Sequence, residues 1–214
     1  MSNEVPAAKV PPEAARGPVR AGKRLIHVGI GAFLLTCALL FAFAGLLAPR
    51  GGSSEPRFPI DETARASADG TFQVTLDASD RKHWVHFDLA GGRITTVAPE
   101  PQAQVMADLV VWRHVLGAPH GAIKLGRVPL ASARLPASPS WERDAQKSGK
   151  LQNAALAHWY GYSYTTHVLR SAGETYAVRL TGGGVAYLNV LSYYCKPEGA
   201  GCMTIRYRLE LEGV

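Results

Sequence analysis

Residues 174–212 read ETYAVRLTGGGVAYLNVLSYYCKPEGAGCMTIRYRLELE, and this stretch decides the fold class of the 214-residue chain. It contains three runs rich in β-branched and aromatic residues, at 174–180, 185–194 and 202–212. In the last run, apolar and polar side chains alternate with the two-residue period of a strand that has one solvated face. The three glycines between the first two runs suit a hairpin turn. The sequence therefore predicts an antiparallel, all-β domain.

Two cysteines stand beside the last of these runs. Cys195 and Cys202 flank the residues KPEGAG, whose proline and glycines are typical of a turn. Two thiols do not complete a zinc site, which normally has four ligands. We therefore expect a disulfide between Cys195 and Cys202 in an oxidising compartment.

Four shorter stretches earlier in the chain also have the two-residue period of strands. They are TFQVTLD at 71–77, KHWVHFDL at 82–89, RITTV at 93–97 and ADLVVWRHV at 107–115. The first two predict half-buried strands, and the glycine pair between the second and the third predicts a hairpin. The fourth would place His114 on the same face as the tryptophan two residues before it.

The middle of the chain is less regular. Residues 116–140 contain several prolines and glycines around the short run AIKLGRV, and long excursions of this kind are often functional. Residues 141–157, WERDAQKSGKLQNAALA, have a weakly helical composition, and Gly149 limits the length of any helix there.

An apolar segment near the N-terminus predicts a membrane anchor. Residues 25–48 run for 24 positions without a formal charge, which is long enough for a helix to cross a bilayer. Lys23 and Arg24 directly before the segment predict a cytoplasmic N-terminus, so the rest of the chain would lie outside the cytoplasm. The alternative is a signal peptide cleaved near Ala44, which would leave a secreted or periplasmic protein.

These segments predict a chain of four parts. Residues 1–24 are expected to be a disordered cytoplasmic tail, residues 25–48 a transmembrane helix, and residues 49–69 a linker. Residues 70–214 would form the exported β domain. We therefore expect a single-pass protein of the bacterial cell envelope.

The basic character of the chain does not indicate a nucleic-acid partner. The formal charge of +6 divides into +4 for residues 1–50 and +2 for residues 51–214. A nucleic-acid-binding domain normally carries a concentrated basic surface. The exported part is nearly neutral, which argues against that class.

The sequence lacks the motifs of common catalytic sites. It contains no G-x-S-x-G nucleophile elbow, no H-E-x-x-H zinc helix, no Walker loop and no C-x-x-C-H haem attachment site. A metal-dependent hydrolase would need carboxylates beside histidines, and Asp88 and Asp108 are the candidates for that role. We predict a protein without enzymatic activity.

Histidines and aromatic residues supply the candidate binding groups. Residues 158–169, HWYGYSYTTHVL, place a histidine at each side of an aromatic run. Neutral imidazole is the commonest metal ligand, and imidazoles hold haem iron in many proteins. A single histidine is more often exposed or packed, and strand tyrosines often fill a sheet face. Six histidines lie in the exported part: His83, His86, His114, His120, His158 and His167.

Several short motifs occur in a set order along residues 80–210. They are W-x-H-F-D-L-A-G-G at 84–92, D-L-V-V-W-R at 108–113, W-Y-G-Y with T-H-V-L at 159–169, Y-A-V-R-L at 176–180, and L-S-Y-Y-C with G-C-M-T-I-R-Y at 191–207. This ordered set resembles the HmuY-type haem-binding proteins. These are bacterial β proteins that capture haem and are usually exported or lipid-anchored.

The resemblance implies an all-β fold in which two axial side chains hold a haem iron near the tips of the sheet. His167, within T-H-V-L, would be one ligand, and His120 or His114 would be the second. The walls of the haem pocket would be aromatic: Trp159, Tyr160 and Tyr162.

A different class of function is a membrane-tethered β module without haem. Such a module would bind a protein partner in the cell envelope or in a transporter complex. It predicts histidines dispersed over the surface, whereas haem binding predicts an imidazole among aromatic walls.

Overall fold

A computed structural model gives the structure of the chain at residues 30–40, 55–100, 106–147, 150–197 and 199–211. The chain divides into two compact units, Met1–Ser53 and Ser54–Val214. The boundary falls inside the stretch predicted as a linker.

In the first unit, residues 30–40 form a helix. The transmembrane helix was predicted over residues 25–48, and its other residues lie outside the described part of the chain, as does the predicted tail at 1–24. Among the residues described, no helix is both long and apolar enough to cross a membrane.

The second unit is built from strands, and its described residues contain one short 3₁₀ helix at Leu130–Ser132. In chain order the strands are β1 (Arg57–Phe58), β2 (Asp61–Ala66), β3 (Phe72–Asp77), β4 (Trp84–Asp88), β5 (Arg93–Ala98), β6 (Leu109–Trp112), β7 (Val115–Gly117), β8 (Ala122–Gly126), β9 (Asp144–Lys147), β10 (Lys150–Asn153), β11 (Tyr160–Ser163), β12 (Val168–Ser171), β13 (Thr175–Arg179), β14 (Val185–Cys195) and β15 (Gly199–Glu210).

Most of these strands belong to one large sheet. Its order is β7-β6-β4-β5-β2-β3-β15-β14-β13-β8, and β1 pairs with β14 in parallel. Two separate antiparallel hairpins, β9–β10 and β11–β12, complete the described strands. The other pairings in the large sheet are antiparallel. The predicted all-β, antiparallel class is confirmed.

The three C-terminal strands follow the sequence prediction. The turn between β13 and β14 contains Gly183 and Gly184, with φ of 92° and 89°, values that glycine adopts at little cost. β14 and β15 are the longest strands and pair along most of their length. Cys195 and Cys202 form the predicted disulfide, with Cα atoms 5.5 Å apart.

Strand β4 is covered on both faces, which corrects the prediction of a half-buried strand. Val85 and Phe87 lie in the main core, whereas Trp84 lies in a second apolar cluster and His86 is fully buried. The two faces are those that the alternation predicts. Full burial of a side chain the size of Phe87 stabilises the fold by roughly 1.5–3 kcal/mol.

The buried carboxylate of Asp108 ties the end of β4 to the β13–β14 turn. It accepts hydrogen bonds from the backbone N–H of Leu89 at 2.9 Å and from the N–H and hydroxyl of Thr181 at 2.7 and 2.9 Å. A buried charge needs such partners to offset the loss of its hydration. These three donors give Asp108 a structural role.

Strands β1 and β2 correct the prediction of a linker over residues 49–69. β2 pairs with β3 and β5, and β1 pairs with β14. The β2 sequence, DETARA, is mostly polar and exposed. β2 is therefore held mainly by backbone pairing, and its sequence lacks the apolar alternation that would predict a strand.

The strand predicted over residues 107–115 is interrupted. β6 ends at Trp112, Arg113 has a φ of 52°, and β7 then folds back antiparallel to β6. The backbone N–H of Arg113 donates to the carbonyl of Ala78 at 2.9 Å, which holds the turn. The apolar residues continue through the break, so the alternation alone does not reveal it.

The described residues within 141–157 form no helix, which corrects the prediction of a weakly helical stretch. They contain the β9–β10 hairpin, in which Lys147 pairs with Lys150. Ser148 and Gly149, the residues between them in the sequence, are turn-forming types. Good helix formers such as Ala, Gln and Lys occur in strands when pairing and burial favour it, because helix propensity is a weak prior.

Candidate functional site

A pocket of about 780 Å³ opens beside the β6–β7 turn. Its walls come from the start of β4, the β6–β7 turn, the β9–β10 hairpin and the start of β11. Cofactor and ligand sites are typically clefts of roughly 300–1,000 Å³. The pocket is therefore the leading candidate for a ligand site.

Aromatic rings form two sides of this pocket. Trp84 and Trp112, on the neighbouring strands β4 and β6, pack with their ring centroids 5.5 Å apart. On the other side, the ring of Tyr160 meets the imidazole of His114 edge to face at 5.6 Å. All four residues line the pocket. Flat aromatic and aliphatic walls of this kind suit a flat, largely apolar ligand.

A hydrogen bond from a buried tryptophan holds the backbone of His114 in place. The indole Nε1 of Trp159, a buried side chain, donates to the carbonyl oxygen of His114 at 2.8 Å. The imidazole also meets the ring of Tyr193 at a centroid distance of 6.3 Å. These contacts hold a histidine on a tight turn in a defined position at the pocket wall.

The environment of His114 favours the neutral imidazole. Burial lowers its pKa, and the positive charges of Arg113 and Lys150 lower the pKa further. A neutral imidazole keeps a nitrogen lone pair that can bind a metal. His114, whose side chain is exposed at the pocket wall, is therefore shifted toward the neutral form that an iron ligand requires.

Basic side chains form the rim of the pocket. Arg81 and Lys82 precede β4, and Lys147 and Lys150 come from the β9–β10 hairpin. Among the described residues that line the pocket, none is Asp or Glu. The pocket is therefore suited to a ligand that combines a flat apolar body with negative charges.

The β9–β10 wall is anchored by buried polar groups. The Asp144 carboxylate accepts from the backbone N–H of Ala118 at 2.8 Å and from the Asn153 side-chain amide at 2.9 Å. Burial raises the pKa of Asp144, and these hydrogen bonds and the charge of His120 oppose that rise. A Cβ at Gly117 would lie 2.6 Å from Asp144 Oδ2, so the hairpin packs directly on β7.

His167 lies away from the pocket lining, in the turn of the β11–β12 hairpin. It is exposed and has a φ of 55°, and its Nδ1 lies 2.5 Å from the Tyr162 hydroxyl. The rings of Tyr162 and Tyr164 meet edge to face at 5.1 Å, and Tyr164 is 85% exposed. The first residue of β11, Tyr160, lines the pocket, so the same hairpin contributes both a pocket residue and the turn that contains His167.

His120 lines a different and smaller pocket of about 360 Å³. The structure thus brings His114, Trp159 and Tyr160 together, and Tyr162 together with His167, and it places His120 elsewhere. The pairing of His167 with His120 as axial ligands stays a prediction.

The other histidines of the β domain are not at the pocket. His83 Nδ1 lies 2.7 Å from Asp80 Oδ2 at the surface, and His158 is exposed. His86 is buried, with Nε2 at 3.1 Å from the carbonyl oxygen of Glu100. In the described part of the chain, no three residues among His, Cys, Asp and Glu gather as a metal site.

Comparisons with known proteins identify the fold. No protein-family model matches the chain, and no curated protein does. The crystal structure of a proposed HmuY-like haem-binding protein from Bacteroides vulgatus does match, with a TM-score of 0.54 and 17% identity, over 69% of this chain and 97% of that one. The β domain has the HmuY-type fold.

Two further solved structures agree with this assignment. An apo HmuY analogue from Tannerella forsythia matches 71% of this chain and 100% of its own, with 13% identity and a TM-score of 0.54. A proposed lipoprotein from Bacteroides fragilis matches 67% of this chain and 93% of its own, with 16% identity and a TM-score of 0.54. The resemblance that the ordered motifs indicated is confirmed at the level of the fold.

Part of the pocket of this HmuY-type domain was not predicted from the sequence. Trp84, Arg81 and Lys82 lie close together in the chain, but the two lysines of the pocket belong to the β9–β10 hairpin, where the sequence predicts a weakly helical stretch. Two signals in the sequence indicate pocket residues: the aromatic run that contains Tyr160, and the spacing of Trp112 and His114, which both line the pocket although a turn separates them.

Proposed function

We propose that the chain is a non-catalytic haem-binding protein that captures haem in the pocket beside the β6–β7 turn. One observation carries this proposal: the His114 imidazole lies among aromatic rings in a pocket whose rim is basic. The HmuY-type fold and the haem binding ascribed to the protein from Bacteroides vulgatus support it.

The chemistry of the lining fits haem. Haem is a flat and mostly apolar macrocycle that carries two carboxylates, and its iron takes an imidazole lone pair as an axial ligand. Trp112 and Tyr160 would contact the macrocycle, His114 would hold the iron, and Lys147 and Lys150 would pair with the carboxylates. Each kind of group that haem needs is present in one pocket.

The second axial position is a separate part of the proposal. His167 is the candidate that the motif T-H-V-L favours, and it lies on the hairpin whose first strand contributes Tyr160 to the pocket. His120 is the weaker candidate because it lines another pocket. We therefore propose His114 as the primary ligand and His167 as the second.

The proposed location is the bacterial cell envelope, with the β domain outside the cytoplasm. The uncharged segment at 25–48 and the basic residues before it support a membrane anchor with a cytoplasmic N-terminus. A disulfide between Cys195 and Cys202 suits an oxidising compartment. One of the structures with this fold is a proposed lipoprotein.

A second candidate function is a tethered module that binds a protein partner and no haem. The observation that favours it is the exposed tip of the β11–β12 hairpin, where Tyr162 and Tyr164 are 42% and 85% exposed. Tyrosines are enriched in protein interfaces because they combine apolar area with a polar group.

A haemin titration distinguishes the two functions. The full-length protein, purified in a mild detergent, is titrated with haemin and the Soret band is followed. We expect saturation at one haem per chain and an affinity that falls about tenfold or more in His114→Ala. His158→Ala is the matched control, because His158 is exposed and is absent from the pocket lining.

The titration also has a result that rejects haem binding. A Soret change that does not saturate, or one that is equally weak in the wild type and in His114→Ala, would leave the protein-binding module as the better account. His167→Ala measured in the same series tests the second ligand. A loss of the low-spin spectrum with retained binding is expected if His167 completes the coordination.

A further inference from the structure

A second pocket lies between the turn that precedes β8 and the turn that joins β13 to β14. Its volume is about 360 Å³, and polar groups dominate its lining. His120 lies on the first turn, Gly183 and Gly184 lie on the second, and Arg143 and Arg179 complete the wall. These residues belong to neither the haem pocket nor its rim.

The charges of this pocket are of one sign. Arg143 and Arg179 are both exposed, and the described residues that line the pocket include no Asp or Glu. In the described part of the chain, no salt bridge includes either guanidinium. Two exposed arginines that line one cavity without a salt-bridge partner leave their guanidinium N–H groups available to an anion.

The position of Arg179 is defined by packing. Its guanidinium lies over the ring of Trp141, with Cζ 5.5 Å from the centroid. Its backbone N–H donates to the carbonyl of Gly121 at 3.0 Å, next to His120. A guanidinium that stacks on an aromatic ring still presents its N–H groups in the plane. This contact and the backbone hydrogen bond place the guanidinium of Arg179 at the pocket wall.

Two acidic residues near this pocket are already occupied, and the exposed Glu142, next to Arg143 in the chain, takes part in no salt bridge among the described residues. Asp108 accepts three hydrogen bonds, two of them from Thr181 in the pocket wall. Asp144 accepts from Ala118 and Asn153 and interacts with the charge of His120. These acids hold the two turns in place, so the unpaired positive charge of the pocket comes from Arg143 and Arg179.

We propose that this pocket binds a phosphate-type oxyanion, held by Arg143 and Arg179. Guanidinium groups bind phosphate oxygens with paired, charge-assisted hydrogen bonds. Two arginines with His120 at the edge favour an anion that carries more than one negative charge. This site is independent of the proposed haem site, and its ligand is a phosphate that is either free or esterified.

Calorimetric titration tests the proposal on the full-length protein in a nonionic detergent. The probe is inorganic phosphate, with sn-glycerol 3-phosphate in a second arm as the esterified form. We expect saturable binding of at least one of these probes. In Arg143→Ala/Arg179→Ala the affinity should fall about tenfold or more, whereas it should stay unchanged in the control Arg65→Ala/Arg93→Ala, which removes two exposed arginines outside the pocket.

The outcomes of the two arms separate the sources of the anion. Tighter binding of inorganic phosphate supports a free phosphate, and tighter binding of the glycerol ester supports a phosphorylated lipid or glycan headgroup. The proposal is overturned if neither probe saturates, or if the control pair loses affinity as much as the pocket pair. The single variant Arg143→Ala removes only an exposed side chain, so the fold should stay intact. This variant should also weaken phosphate binding.

Discussion

The indole N–H of Trp159 donates a hydrogen bond of 2.8 Å to the backbone carbonyl of His114. These residues are 45 positions apart in the sequence. The bond joins the start of β11 to the β6–β7 turn, so one buried tryptophan fixes the place of the imidazole that faces the pocket. In the proposed function, Trp159 is a positioning residue and His114 is the ligand.

Trp159→Phe tests this positioning role. The variant keeps an aromatic ring but leaves the His114 carbonyl without its donor, and we expect a stability loss of about 1–3 kcal/mol. Haem affinity should fall about tenfold because the imidazole is held less firmly. Haemin titration and urea unfolding measure the two effects, and Trp141→Phe, outside the pocket, should leave haem affinity unchanged.

The basic rim predicts a salt-dependent contribution to binding. Lys147→Gln/Lys150→Gln removes two of the four cations, and we expect haem affinity to fall about tenfold at low ionic strength. The difference from the wild type should shrink as salt is added, because exposed charges are screened. The control Lys124→Gln/Lys196→Gln removes two exposed lysines that do not line the pocket. Equal losses in both pairs would contradict a specific role for the rim.

Asn153 is expected to stabilise the β9–β10 hairpin, which forms one wall of the pocket. Its amide donates to the Glu142 carbonyl at 3.0 Å and to Asp144 at 2.9 Å, and its oxygen accepts from the N–H of Ala155 at 3.1 Å. Asn153→Ala should lower the free energy of unfolding by about 2–3 kcal/mol, because buried partners lose their hydrogen bonds. Gln152→Ala, at the exposed neighbouring position, should cost less than about 0.5 kcal/mol in the same urea unfolding experiment.

His86 predicts a pH dependence of stability. Burial lowers the pKa of His86, and a hydrogen bond with the Glu100 carbonyl partly opposes that shift. Its Nδ1 has no hydrogen-bond partner among the described residues. The unfolded chain therefore takes up a proton at a higher pH than the folded protein does. The contribution of neutral His86 to the free energy of unfolding is fully present above the ordinary histidine pKa, near 6.5, and is lost as the pH falls below that value toward the lowered pKa of the folded state.

Urea unfolding at pH 7.5 and pH 5.5 measures this effect. We expect the free energy of unfolding to fall less between these pH values in His86→Leu than in the wild type. His83→Leu is the control, because His83 is partly exposed and lies at the surface beside Asp80. If both variants keep the wild-type pH dependence, another group is responsible for it.

The strands that the sequence predicted are those whose faces differ in polarity. β3 and β15 alternate in polarity along the sequence, although Thr75 and Thr204 on their polar faces are also buried, and the glycine turn before β14 is visible from its composition. β2 was missed because its polar side chains are exposed and its backbone pairs with two neighbours. Alternation reports the burial of side chains and carries no information about strands that are held by backbone pairing.

The candidate site was predicted only in part, for a related reason. Tyr160 and His114 were named from the aromatic run and the family resemblance, and both line the pocket. Trp84 and the lysines of β9–β10 reach the same pocket through long-range pairing that local patterns do not encode. Sequence spacing also could not separate His114 from His120, since a turn decides which pocket each one enters.

A crystal structure of the full-length protein in complex with haemin would show whether His114 binds the iron. We expect haem density in the pocket beside the β6–β7 turn, with the His114 imidazole bound to the iron and Lys147 or Lys150 at the carboxylates. Haem held at another surface, with His114 free of iron, would contradict this expectation.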